Sequence, residues 1–138
     1  MIEAFKSAIQ EKADISFRKI IRYAGDFVPK EYYGPDAWKY FHREGYSDDR
    51  GRRPITEDEA IMCYLVAYGQ MHQSKLKIAF DAMFGKVAVP SRINIVDWGC
   101  GQGLGTMVLL DYLKEKGCDC HVDNVILVEP SALTLEYA

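Results

Sequence analysis

Between residues 97 and 129 the chain carries an order of residue types suited to holding a small molecule. Asp97 is followed by Trp98, Gly99, Cys100, Gly101, Gln102, Gly103, Leu104 and Gly105, so glycine recurs at every second position from 99 to 105. Glycine is used where φ must be positive or where another molecule approaches the main chain. The acid before the turn is acceptor-only when ionised, and it is able to cap the turn's own N–H groups. A second acid, Glu129, ends the apolar run Val125-Ile126-Leu127-Val128 and lies 26 residues after Gly103.

The elements that must position these residues are legible around them. Ile93, Ile95 and Val96 form a short β-branched run closed by glycines, which predicts a buried strand. Met107, Val108, Leu109, Leu110, Tyr112 and Leu113 then predict a helix, with Gly117 as its C-terminal stop. Strand, glycine turn and helix make the first half of a nucleotide-binding βαβ unit, with free N–H groups at the helix start. The spacing narrows the ligand. A dinucleotide fingerprint needs glycine at its first, third and sixth positions. Counted from Gly99 the sixth position is Leu104, and counted from Gly101 it is Thr106. The phosphate loop ending in Gly-Lys-Ser/Thr is also missing, because no lysine follows the turn.

The pattern Asp97-x-Gly99-x-Gly101-x-Gly103, paired with the acidic strand end Glu129, resembles the first motifs of the Rossmann-like S-adenosylmethionine-dependent methyltransferases. The resemblance covers residues 93–138, about a third of the chain. It implies S-adenosylmethionine as cofactor. Gly99, Gly101 and Gly103 would pass close to its methionine and ribose parts, and Asp97 would meet its amino group directly or through water. Glu129 would take the two ribose hydroxyls, Pro130 would lie against the adenine, and Cys100 and Gln102 would contact the ligand from the turn. The implied fold is α/β: a helical N-terminal region over 1–90, then the start of a Rossmann-like cofactor domain over 91–138. That family needs more strands than this stretch supplies. The expectation is therefore a truncated domain, the front part of a longer methyltransferase, inactive alone and open to self-association through its sheet edge. The methyl acceptor and the catalytic residues are not readable; acceptor motifs of amino- and cytosine-methylating enzymes are absent. The alternative is a non-catalytic protein- or RNA-interaction module that retains a vestigial glycine turn.

Composition sets the outer bounds. The chain has 138 residues, 49% of them hydrophobic and 27% charged, an ordinary globular balance for one domain. Its net charge of −3 makes no general case for nucleic acid. The charge is uneven: residues 1–56 hold 11 basic and 9 acidic side chains, residues 57–138 hold 6 and 11, a mild asymmetry read as solvated surface. No secretory leader and no membrane-length apolar run is visible. Cys63, Cys100, Cys118 and Cys120 do not form a disulfide framework, so a cytoplasmic setting is expected.

The first 90 residues read as helices. Ile2, Phe5, Ile9, Ala13, Phe17, Ile20, Ile21 and Ala24 recur at three or four, with a break near Asp14-Ile15-Ser16 and a stop at Gly25. Gly34-Pro35 punctuates, and a short helix from Asp36 carries Trp38, Tyr40 and Phe41. Residues 45–55 are a polar connection, whose Arg50-Gly51-Arg52-Arg53 is able to contact phosphate but reads first as solvated. Thr56-Glu57-Asp58-Glu59 fits a capping box with Thr56 as N-cap. Two helices, or one kinked helix, follow to Gly85, with Ile61, Tyr64, Leu65, Tyr68 and Met71 on one face. The tyrosines at 32, 33, 40, 64 and 68 read as mostly core-facing, with an aromatic pocket wall as the other use. His42 and His72 read as surface or packing residues. Cys118-Asp119-Cys120-His121 is too tightly spaced for a tetrahedral zinc site without partners and reads as a helix-to-strand connection.

Overall fold

The computed structural model describes residues 2–10, 16–32, 36–43 and 53–138. The expected helix break at Asp14-Ile15, Tyr33, the Gly34-Pro35 turn and most of the polar connection, Arg50 and Arg52 included, lie outside the described residues. The architecture is mixed α/β, with helices packed beside a small parallel sheet of two strands. In chain order the elements are α1 (Ile2–Gln10), α2 (Phe17–Gly25), a 3₁₀ turn (Lys30–Tyr32), α3 (Ala37–Arg43), α4 (Asp58–Phe84), β1 (Arg92–Trp98), α5 (Leu104–Glu115), β2 (His121–Val128) and α6 (Ala132–Glu136). Among the described residues no helix is long and apolar enough to cross a membrane.

α4 is the spine. It runs unbroken for 27 residues, where the sequence predicts a kink or two helices. Midway along it the Ser74 hydroxyl donates to the Gln70 carbonyl at 3.0 Å, and the helix carries on through it. The first half of α4 is buried on several sides: Ala60, Ile61, Met62 and Cys63 are consecutive and fully enclosed. α2, α3 and α5 all pack on it. Gly69 lets α2 come close, since a Cβ there would sit 2.8 Å from Ile21 Cδ1. The second half of α4 emerges from the core, which leaves Met71, Ile78 and Met83 exposed. Met71 thus shares a helix face with the buried Ile61 and Leu65 but lies beyond the core.

The start of α4 also corrects the capping-box reading. The N-cap residue is Glu57, not Thr56, and no side chain caps it. Glu57 is drawn elsewhere: Oε2 accepts a 2.8 Å hydrogen bond from the Tyr40 hydroxyl of α3. Tyr40 itself is buried against Tyr32, edge to face at 5.3 Å, so those two tyrosines are core-facing as expected.

β1 and β2 pair in parallel from Arg92↔His121 to Trp98↔Val128, with one irregularity between Ile93 and Asn94. α5 joins them as the crossover and ends in a Schellman motif. Cys118 N donates to the Leu113 carbonyl at 3.0 Å and Gly117 N to the Lys114 carbonyl at 3.1 Å, with Gly117 at φ +64°. Cys118 and Cys120 lie in the short connection that follows, and His121 opens β2. One hydrophobic core spans the helices and this unit, because Leu104 and Val108 of α5 join Phe17, Ile21, Ile61 and Leu65 in it. Polar ties cross the same seam: Phe17 N donates to Asp111 Oδ2 at 2.8 Å, and Lys116 pairs with Asp81 at 2.9 Å.

Candidate functional site

At the carboxyl ends of β1 and β2 the chain turns through three left-handed glycines in alternation. Gly99, Gly101 and Gly103 have φ of +70°, +54° and +71°. An L-residue with a Cβ is disfavoured at each, so the glycine spacing records the backbone path. The turn is fixed from below by β2: Gly99 N and Cys100 N both donate to the Val128 carbonyl, at 2.7 and 3.1 Å. Gly103 is then the N-cap residue of α5.

The two acids hold the turn from either side. Asp97 Oδ2 accepts from Thr106 N at 3.0 Å and from Thr106 Oγ1 at 2.8 Å, so an acid on β1 satisfies an otherwise orphaned donor in the first turn of α5. Gly105 makes room for it; a Cβ there would lie 3.0 Å from Asp97 Oδ2. Glu129 Oε2 accepts from Gly101 N at 3.0 Å, and Oε1 from Ser131 N at 3.0 Å. Asp97 Oδ2 is filled by its two bonds, while Asp97 Oδ1 and both Glu129 oxygens keep acceptor capacity.

Above the turn lies a cavity of about 340 Å³. Asp97, Gly99, Cys100, Gly101, Gln102, Glu129 and Pro130 line it. Gly103 does not: it is buried, and a Cβ there would meet Ala138 at 3.4 Å. Every other residue expected from the sequence to touch a ligand is thus gathered at one opening. Gln102 is 4% exposed, and its Nε2 has no hydrogen-bond partner among the described residues. A buried donor without a partner is costly, so this amide is set up to meet an acceptor. Burial and the two neighbouring carboxylates push the Cys100 thiol up, which keeps it protonated at neutral pH.

The facing wall was only partly legible. α4 supplies Tyr64, His72 and Leu76, and the segment before it supplies Arg53, Pro54 and Ile55. Tyr64, Tyr68, His72 and Leu76 follow one another at intervals of four, one face of a helix, and that stripe was the available signal. Tyr64 Oη and His72 Nε2 are 2.8 Å apart, with the rings stacked at 5.7 Å. Burial, helped by Lys75, holds the imidazole below its ordinary value, and burial beside Tyr68 raises the Tyr64 phenol. Both groups are therefore neutral near pH 7. Residues 53–55 are anchored by α6: Ser131 Oγ donates to the Ile55 carbonyl at 2.5 Å and accepts from Thr134 N at 3.1 Å. Ser131 is thus the N-cap residue of α6. Among the described residues no three His, Cys, Asp or Glu side chains are grouped as metal ligands would be.

The chain matches no protein-family model, no curated protein and no solved structure. The chemistry of the site therefore rests on its own geometry: two carboxylates, a glycine turn open to a ligand, an orphaned amide, and an aromatic–imidazole wall opposite.

Proposed function

We propose that this chain binds S-adenosylmethionine and is part of a methyltransferase, with β1, α5 and β2 as the first unit of a Rossmann-like sheet. The observation that carries the reading is the convergence of Asp97, the left-handed glycines and Glu129 on one cavity at the ends of two parallel strands. Ligands of open α/β sheets sit outside the carboxyl ends of the strands. The two carboxylates favour a ligand that brings positive charge and hydroxyl donors, and the cofactor has a sulfonium, an ammonium and a ribose diol. Glu129 is tied by one backbone bond per oxygen and has capacity left for the diol. Pro130 and Leu76 give apolar surface suited to the adenine. The methyl acceptor is unidentified, and the setting we propose is cytoplasmic.

Calorimetric titration with S-adenosylhomocysteine tests this. Saturable binding is expected, and Gly101→Val should abolish it. A Cβ at Gly101 meets nothing within 4 Å, so valine fails there because φ is +54°, not because space is short. A β-branched residue in that region costs on the order of 1–2 kcal/mol locally, and more where the turn refuses to deform. Unchanged affinity in the variant would sink the proposal.

A second reading has its own observation. One face of the sheet is bare: Val96, Trp98 and Ile126 are 59%, 82% and 53% exposed. A non-catalytic protein- or RNA-interaction module would use such a surface. It predicts that S-adenosylhomocysteine leaves the melting temperature unchanged, whereas a ligand of the folded state must raise it.

A further inference from the structure

From the wall opposite the glycine turn we infer that Tyr64 and His72 form the methyl-acceptor side of the cavity, relaying a proton away from an O–H or N–H nucleophile. The inference rests on the methyltransferase reading and adds to it a substrate class and a route for the proton. An acceptor that already carries a free lone pair and no dissociable proton, such as a thioether, would need neither residue.

The cavity's polar inventory leads there. Of the groups that could take a proton, Asp97 and Glu129 are engaged with backbone N–H groups and face the turn. Cys100 is already protonated. His72 is the neutral base of the wall, and its Nε2 is the atom in contact with Tyr64. With the proton of the imidazole on Nδ1, Nε2 accepts from the phenol. The stacked contact and the continuous backbone of α4 hold both rings in one orientation. Such preorganisation is what lets a proton move without further rearrangement.

The step balances. The nucleophile's heteroatom X attacks the methyl carbon, the X–C bond forms, and the C–S bond breaks with its electron pair going to sulfur. The sulfonium becomes the neutral thioether of S-adenosylhomocysteine. The proton on X passes to Tyr64 Oη while the Tyr64 proton passes to His72 Nε2, leaving an imidazolium that releases its proton to water. General-base assistance of this kind contributes about 10²–10⁴-fold.

The test uses the charge difference between the two forms of the cofactor and needs no acceptor. His72 is titrated by NMR in the full chain, alone and saturated with S-adenosylmethionine or with S-adenosylhomocysteine. Its charged surroundings include Lys75 on its own helix, Arg53 before it, and Asp97 and Glu129 across the cavity. All of these are common to both complexes, and only the sulfonium differs. If His72 faces the reacting sulfur, S-adenosylmethionine lowers its titration midpoint by about one pH unit relative to S-adenosylhomocysteine. His42, on α3, and His121, at the far end of β2 from Glu129, do not line the cavity. His72→Gln, which also assigns the resonance, should keep S-adenosylhomocysteine affinity within about threefold, since the residue belongs to the other side of the site. Equal His72 midpoints with both ligands bound would overturn the relay and leave the cofactor site standing. A tenfold loss of affinity in His72→Gln would make His72 a cofactor contact and also overturn it. Binding of neither ligand would overturn the methyltransferase reading itself.

Discussion

At the scale of single residues, Asp97 joins two duties that are usually separate. Its Oδ2 secures Thr106 at the head of α5, and the same carboxylate lines the cavity. Asp97→Ala should therefore lower the unfolding free energy by about 1–2 kcal/mol in urea titration, the usual cost of a lost helix cap. It should also weaken S-adenosylhomocysteine binding; a stability loss with intact binding would reduce Asp97 to a cap. His72 gives a pH dependence of definite sign. Its midpoint in the folded chain lies below the ordinary value of 6.5, so the unfolded chain takes up the proton first. Stability is then full above that value and declines as pH falls through it toward the folded midpoint. Urea midpoints compared at pH 7.5 and 5.5 should differ more in the native chain than in His72→Gln.

At the scale of elements, the cavity exists because three connections are pinned. The β1–α5 turn hangs from the Val128 carbonyl, the β2–α6 corner is held by Glu129, and the segment before α4 is tied to α6. Ser131 is the hub of the last two. Its N–H serves Glu129, and its hydroxyl serves both Thr134 and Ile55. Ser131→Ala removes the cap of α6 and the tether of residues 53–55 together, leaving the partly buried Ile55 carbonyl with its weaker 3.4 Å contact to Thr134. The expected cost is about 1–2 kcal/mol in urea. Hydrogen exchange should rise at Ile55 and at Thr134; protection unchanged at Ile55 would show that the tether carries no stability.

At the scale of the whole molecule, one core joins the helices to the βαβ unit, so a ligand at the turn stabilises all of it. The four free cysteines report on that core from different depths. Cys118 and Cys120 are half-exposed beside β2, while Cys63 is enclosed in α4 and burial pushes its thiol up to about 11. A thiol reagent followed by mass spectrometry should label Cys118 and Cys120 first. Cys63 should react only on global unfolding, because the thiolate is the reactive form. Cys100, buried in the cavity wall, should label at an intermediate rate and be protected by S-adenosylhomocysteine. Equal rates at Cys63 and Cys118 would mean that the core opens as readily as the surface.

Local chemistry wrote much of this into the sequence. The glycine alternation dictated the left-handed turn, because no other residue type holds positive φ at so little cost. The apolar runs dictated β1 and the second half of β2, and Gly117 marked the end of α5. Where the sequence misled, the course of α4 was responsible: it starts one residue later than the Thr56 cap requires, and it runs straight past the core, leaving Met71 outside. The facing wall of the cavity was the least legible part. Tyr64 and His72 stand 28 and 20 residues before the start of β1, and nothing in their own spacing says which element their stripe will meet. Helical periodicity fixes which residues share a face; only the packing of α4 on α5 decided that this face looks onto the glycine turn.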